Sequence, residues 1–221
     1  MTLQTIIGLK RLDLAKQRLT PHLSPTERRT LMLGMLEAVV KAVRAAGIGP
    51  VALATSEPAA ALGLDLDVTV LSDGDLPWND GLVHALSAVV PPPARVLFLA
   101  GDIPLVTAAE LQEFVSAAPA RGVGIARARD AGTNALLVTP PDALRPRFGV
   151  PRSSEVHEAA ARAASLPHRV IDIPGIALDV DTLDDARDAG LLARALSETG
   201  RVRGGGSSAA PSRLRAPHSR G

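Results

Sequence analysis

The chain has 221 residues, of which 46% are hydrophobic and 21% charged, with a formal net charge of +1; that suffices for one domain of ordinary size with a sizeable core and some chain to spare. The absence of cysteine excludes disulfides, thiolate metal sites and cysteine nucleophiles, and it accords with a reducing, cytoplasmic location. Three Phe, one Trp and no Tyr leave almost no stacking platform for single-stranded nucleic acid, and five arginines between Arg201 and Arg220 leave the first 200 residues mildly acidic, unlike a nucleic-acid binder.

Met1-Thr2-Leu3-Gln4 has neither a charged segment nor a long apolar one, so no signal peptide is expected. No apolar run reaches the length of a membrane span. Thr5-Ile6-Ile7-Gly8 reads as a first strand. Lys10-Arg11 and Lys16-Gln17-Arg18 follow it, and a loop offering Lys10, Lys16 and Arg18 can hold a polyphosphate, with a solvated charged loop as the competing reading. Neither G-x-x-x-x-G-K-[ST] nor G-x-G-x-x-G is present, so this is no P-loop or dinucleotide site. Ser24-Pro25-Thr26-Glu27 announces a helix, with Ser24 as N-cap, Pro25 in the first position and Glu27 closing a capping box. That helix buries Leu33, Leu36, Val40 and Val43 and stops at Gly47.

Strands are expected at Val51–Thr55, Val68–Leu71, Val96–Ala100, Val123–Ala128 and Ala135–Thr139. Helical patterns lie near Leu82–Val89, Ala108–Ser116, Glu155–Ala164 and Leu183–Leu196. The alternation predicts an α/β fold, a mostly parallel sheet flanked by helices on both faces. Ligands in such folds sit beyond the carboxyl ends of the strands. Gly204 to Pro211 has linker composition, so residues 201–221 are read as a disordered basic Gly/Ser/Arg tail on a domain of residues 1–200.

Three groups of residues at predicted strand ends carry chemistry. An apolar strand runs into Gly101-Asp102-Ile103-Pro104, where Asp102 projects into the crevice and suits Mg²⁺, an ion that takes few protein ligands. A turn cap is the competing role for Asp102, while Thr107 suits the cap of the next helix. Leu178-Asp179-Val180-Asp181-Thr182 places Asp179 and Asp181 on one face of an extended segment. Like charges so close call for a cation; the alternative is that Asp181 or Thr182 caps a helix and Asp179 is solvated. Gly132-Thr133-Asn134-Ala135, Arg147-Phe148-Gly149 and Ser153-Ser154 supply small donors suited to a phosphate or carboxylate, or ordinary turns. His22, His84, His157, His168 and His218 are scattered and read as structural or solvated.

In order along the chain, Gly8-Leu9-Lys10, Lys16-Gln17-Arg18-Leu19, Leu23 to Arg28, Gly101 to Leu105, Gly132 to Leu137, Arg147-Phe148-Gly149 and Leu178 to Thr182 resemble the 2-phospho-L-lactate guanylyltransferase family over about residues 5–190. The resemblance implies a Rossmann-like, nucleotide-diphospho-sugar-transferase-like fold and a role in coenzyme F-420 biosynthesis. Members move GMP from GTP onto 2-phospho-L-lactate, phosphoenolpyruvate or 3-phospho-D-glycerate and release pyrophosphate. By match of motif, Asp102, Asp179 and Asp181 would hold Mg²⁺, and Asn134, Gly149 and Ser153 the acceptor acid with Thr133 beside it. Lys10, Lys16 and Arg18 would meet the GTP phosphates, with Asp102 at the reacting centre. Val83 stands where members often carry Asn in Gly-Leu-Asn-x-Ala, with Asn79 and Asp80 just before it as candidate replacements. The expected partners are these small molecules, with no membrane or nucleic acid, and a homodimer as the one assembly entertained. The rival readings are a transferase of the same fold acting on a molybdopterin, sugar phosphate or terpenoid precursor, and a non-catalytic nucleotide-binding module.

Overall fold

A computed structural model describes residues 2–57 and 68–191. The tail expected at 201–221, and the end of the helix expected to reach Leu196, lie outside the described residues. The elements in chain order are β1 (Leu3–Gly8), two single 3-10 turns (Leu12–Leu14 and Gln17–Leu19), α1 (Pro25–Ala46), β2 (Val51–Ala54), β3 (Thr69–Leu71), α2 (Trp78–Ser87), β4 (Arg95–Leu99), α3 (Ala108–Ala117), β5 (Gly122–Arg127), β6 (Thr133–Thr139), α4 (Ser153–Ala163), β7 (His168–Ile171), α5 (Pro174–Ala177) and α6 (Leu183–Asp188).

The strands form one sheet in the order β3-β2-β1-β4-β6-β5-β7. All its pairs are parallel except those of β6, which runs against both β4 and β5. The reversal follows from chain length. Only residues 128–132 separate β5 from β6, enough for a turn but not for the crossover that a parallel pair needs. Asp130 accepts the Gly132 N–H at 2.7 Å in that turn.

Both faces of the sheet are covered, as the alternation of elements requires. Ile7, Leu53, Leu97 and Leu99 pack with Leu36, Val40 and Val43 of α1 and with Leu111 and Phe114 of α3. The alternate positions Ile6, Ala52, Val96 and Phe98 face Leu82 and Ala85 of α2 and Ala161 of α4. Period-two alternation on β1 and β4 thus supplies two cores. Leu33 is only half buried; Val39 takes the inward position.

Helix α1 is capped as expected. Ser24 Oγ accepts the Glu27 N–H, Glu27 Oε2 accepts the Ser24 N–H, and Gly47 closes the helix at φ +64°. Thr107 and Glu110 form a second such box on α3. Strand β7 is additional to the sequence expectation. His168-Arg169-Val170-Ile171 is a short edge strand with only Ile171 buried, and its charged residues blur the alternation.

Candidate active site

The reversal of β6 decides the site. The carboxyl ends of β1 and β4 lie together, and β6 brings its amino end, Thr133 and Asn134, to the same edge. Ala100 N–H donates to Asn134 O at 2.8 Å just beyond the last paired residues of β4. A cavity of about 430 Å³ opens there. It is lined by Lys10, Lys16 and Arg18 after β1, by Gly101 and Asp102 after β4, by Thr133 and Asn134 of β6, and by Gly149, Asp179 and Asp181.

The basic loop is anchored from below. Leu12, Leu19 and Leu23 are buried, and the Leu12 N–H donates to Glu57 Oε1 at 2.8 Å. Arg28 of α1 is buried and donates to the carbonyl of Ala15 at 2.9 Å. The next residue, Lys16, adopts φ +52°, a left-handed conformation that costs a non-glycine residue on the order of 1 kcal/mol and collects at functional sites. Its side chain is 6% exposed, and its ammonium donates to Asp102 Oδ2 at 2.5 Å and to Asp181 Oδ1 at 2.9 Å. Burial alone would depress the Lys16 pKa; the carboxylates of Asp102 and Asp181 outweigh it, and the net shift is upward. Arg18, far more exposed, reaches the other oxygen of Asp181 at 3.0 Å.

The Asp-Val-Asp segment reaches this point through its backbone. Val180 is fully buried, and its N–H donates to the carbonyl of Asp102 at 3.0 Å. Thr182, not Asp181, caps α6, in a box closed by Asp185. Asp179 is half-buried at the cavity wall rather than freely solvated, and its Oδ1 accepts from Asn134 Nδ2 at 3.2 Å. Burial and then the nearby Asp102 charge raise the Asp179 pKa, against the opposing Asn134 hydrogen bond.

These three carboxylates suit a divalent cation chemically, being hard oxygen donors short of positive charge. Among the described residues no group of three or more acidic, His or Cys side chains converges as a ready-made cation cage. The Lys16 ammonium stands between Asp102 and Asp181 instead.

The donor-rich residues divide. Gly149, at φ +78°, lines the cavity, in a conformation that side-chain-bearing residues rarely adopt. Asn134 lines it too, but its amide hydrogens go to the Ile176 carbonyl at 2.9 Å and to Asp179. Ser153 does not reach the wall; it is buried and donates to Thr133 Oγ1 at 3.1 Å. Asn79 and Asp80, the candidate replacements for Asn at Val83, are not in the cavity lining. Asn79 pairs with both backbone groups of Phe148, at 2.8 and 3.1 Å, and Asp80 meets Arg145 at 3.4 Å.

Sequence reasoning missed three contributors. Trp78 lines the cavity with the Lys10 ammonium 5.1 Å from its ring centroid. Arg28 and His157 are buried beneath the site. His157 contacts Thr133 Oγ1 through Nδ1 at 3.0 Å, and its Nε2 accepts the Arg147 N–H at 2.8 Å. An arginine in the first turn of an amphipathic helix carries no signal of burial, and a lone histidine gives none of its partners.

The family model described as guanylyl transferase CofC like matches residues 3–192. A phosphoenolpyruvate guanylyltransferase of Sphaerobacter thermophilus is 37% identical over 196 residues, covering 85% of this chain and 92% of that one. A 2-phospho-L-lactate guanylyltransferase of Methanothermobacter thermautotrophicus is 33% identical over 182 residues, covering 81% and 80%. Among solved structures, a nucleotidyl transferase of the same organism matches the fold with a TM-score of 0.62 at 20% identity, covering 89% of this chain and 99% of that one. No described helix is long and apolar enough to cross a membrane.

Proposed function

The chain belongs to the CofC-like guanylyl transferase family and is a nucleotidyltransferase, and from that premise we propose that it moves GMP from GTP onto the phosphate of a three-carbon phospho-acid in coenzyme F-420 biosynthesis. Phosphoenolpyruvate is the first acceptor to test, after the name of the 37% identical relative; 2-phospho-L-lactate and 3-phospho-D-glycerate are the others. The observation that carries the reading is the meeting of Asp102, Asp179 and Asp181 with Lys10, Lys16 and Arg18 in one cavity that also exposes Thr133 and Gly149.

The chemistry needs no general base. A phosphate monoester oxygen of the acceptor is already anionic at neutral pH. It attacks the α-phosphorus of GTP, the bond from that phosphorus to the bridging oxygen breaks, and pyrophosphate leaves with the electron pair. The barrier is repulsion between anions and their alignment. Lys10, Lys16 and Arg18 supply positive charge to the triphosphate and the departing pyrophosphate. Asp102, Asp179 and Asp181 would hold divalent metal, Mg²⁺ in our reading, which when bound neutralises phosphate charge and makes the α-phosphorus more electrophilic. Asn134 holds the Asp179 carboxylate in place. Thr133 and the backbone at Gly149 receive the acceptor acid, and the buried Ser153 acts through Thr133.

The test is pyrophosphate release with Mg²⁺, crossing GTP, ATP and CTP with the three acids and trapping the product with the next pathway enzyme. Release with GTP and one acid bears the reading out and names the acceptor. Release with CTP and a sugar or terpenoid phosphate, with silence across the three acids, would overturn it.

A further inference from the structure

Thr133 is built into a buried chain of hydrogen bonds that fixes the direction of its hydroxyl proton. His157 is fully buried, and its Nε2 faces the Arg147 backbone N–H at 2.8 Å. A backbone N–H can only donate, so Nε2 carries the lone pair and the neutral ring carries its proton on Nδ1. Nδ1 lies 3.0 Å from Thr133 Oγ1 and donates to it, with the Ser153 carbonyl as a second acceptor of the same proton. Ser153 Oγ, also buried, donates to the same oxygen at 3.1 Å. A hydroxyl has two lone pairs and one hydrogen. With both lone pairs of Thr133 filled from behind, its own hydrogen is left for the cavity that Thr133 lines.

The same imidazole acts on a second part of the wall. The Arg147 N–H is held by His157 from α4, and the next amide, that of Phe148, is held by Asn79 Oδ1 from α2 at 2.8 Å. Two successive amides pinned by side chains from two helices set the approach to Gly149, which lines the cavity. Phe148 packs edge-on to the His157 ring with centroids 5.5 Å apart, fixing the plane of the imidazole.

We propose that His157 is a positioning residue for the acceptor: it makes Thr133 an obligate hydrogen-bond donor toward an anionic oxygen of the acceptor acid and holds the 147–149 segment that completes that subsite. The proposal rests on the phospho-acid reading above and deepens it. It touches none of the three carboxylates, so nucleotide binding is independent of it. Selectivity follows from the direction of the proton, since a Thr133 fixed as donor favours a carboxylate or phosphate oxygen over a donor group at the same place.

Two substitutions separate the roles of the ring. The amide nitrogen of Asn superposes on Nδ1, so His157→Asn keeps a donor to Thr133; the longer Gln reaches the Nε2 position, so His157→Gln keeps an acceptor for Arg147 and loses the donor. The probes are phosphoenolpyruvate, titrated into the full chain with Mg²⁺ and a non-hydrolysable GTP analogue, and GTP itself, followed by Trp78 fluorescence. In His157→Gln the acid Kd and the acceptor KM should rise about tenfold or more, as for a lost bond to a charged group, while GTP affinity stays within about twofold. His157→Asn should recover much of the acid affinity. Equal loss in the two variants, loss of GTP binding in step with acid binding, or unchanged acid binding in both would overturn the proposal.

If the wild type binds GTP but none of the three acids, the function proposed above fails instead, and the orientation is decided by the ¹⁵N shifts of His157. A proton on Nε2 overturns it; a proton on Nδ1 whose shift moves in Thr133→Val sustains it.

Discussion

The Lys16 ammonium sits 2.5 Å from a carboxylate oxygen of Asp102, with the lysine side chain almost wholly buried and its backbone in the left-handed region. Asp181 binds the same nitrogen at 2.9 Å, so one cation bridges two of the three acidic residues that line the cavity, Asp102 and Asp181. Lys16→Met should therefore leave that pair short of positive charge. A cost of about 2 kcal/mol is expected, below that of breaking a fully buried pair because Asp181 is 41% exposed. The variant should be stabilised by Mg²⁺ or Mn²⁺ more than the wild type is, as read by thermal melts with and without metal. Turnover should fall at least tenfold, since under the proposed function the triphosphate loses a cation. Equal metal stabilisation in both proteins would refute the charge argument.

Asp102 contributes a carboxylate to the cavity and, separately, a backbone carbonyl that receives the Val180 N–H. The carbonyl survives substitution of the side chain. Asp102→Ala should fold with an unchanged circular dichroism spectrum and lose pyrophosphate release by about a hundredfold or more, the scale expected when a cation that the carboxylate would hold no longer stabilises transition-state charge. A variant keeping most of its activity would remove Asp102 from the proposed metal ligands.

His157 gives the fold a pH dependence of defined sign. Burial lowers its pKa from 6.5 to about 4, with the Ser153 carbonyl opposing and the Arg147 charge assisting. Between those values the unfolded chain takes up a proton that the native state refuses, so stability falls as pH drops from about 6.5 to 4. The full loss is on the order of 3 kcal/mol, and it is absent above pH 7. Urea midpoints at pH 7 and pH 5 should differ more in the wild type than in His157→Gln. Equal differences would mean that the imidazole is accessible to protons in the native state.

Gly8 ends β1 directly beneath the indole of Trp78; a Cβ there would lie 2.3 Å from Trp78 Cη2. Gly8→Ala must displace the ring, at about 1–3 kcal/mol for an overpacked contact. The indole also faces Lys10 and lines the cavity, so GTP binding should weaken with it. Trp78 is the one tryptophan in the chain, so its emission maximum reports the displacement directly. An unchanged spectrum and an unchanged melting temperature would show that the ring is not seated on Gly8.

Much of this protein is determined by sequence within reach of a few residues. Ser24, Pro25, Glu27 and Gly47 bound α1 because capping is local hydrogen bonding, and the apolar run into Gly101-Asp102 marks a strand end because burial on both faces demands such a run. The acidic and basic residue types of the site were legible in the same way, as was membership of a motif-defined family. What the tertiary structure decided is who meets whom. Lys16 and Asp181 are 165 residues apart, and they meet because β6 runs backward between β4 and β5 and Val180 ties its segment to the end of β4. The same packing has Asn134, at the cavity wall, donate to Asp179, and it sets Ser153 behind Thr133. It also gives His157, which shows no periodicity or spacing of its own, two partners that fix its tautomer. Propensity and capping act between neighbours, whereas the direction of a proton or the partner of a buried charge depends on surfaces that adjoin only after the sheet has formed.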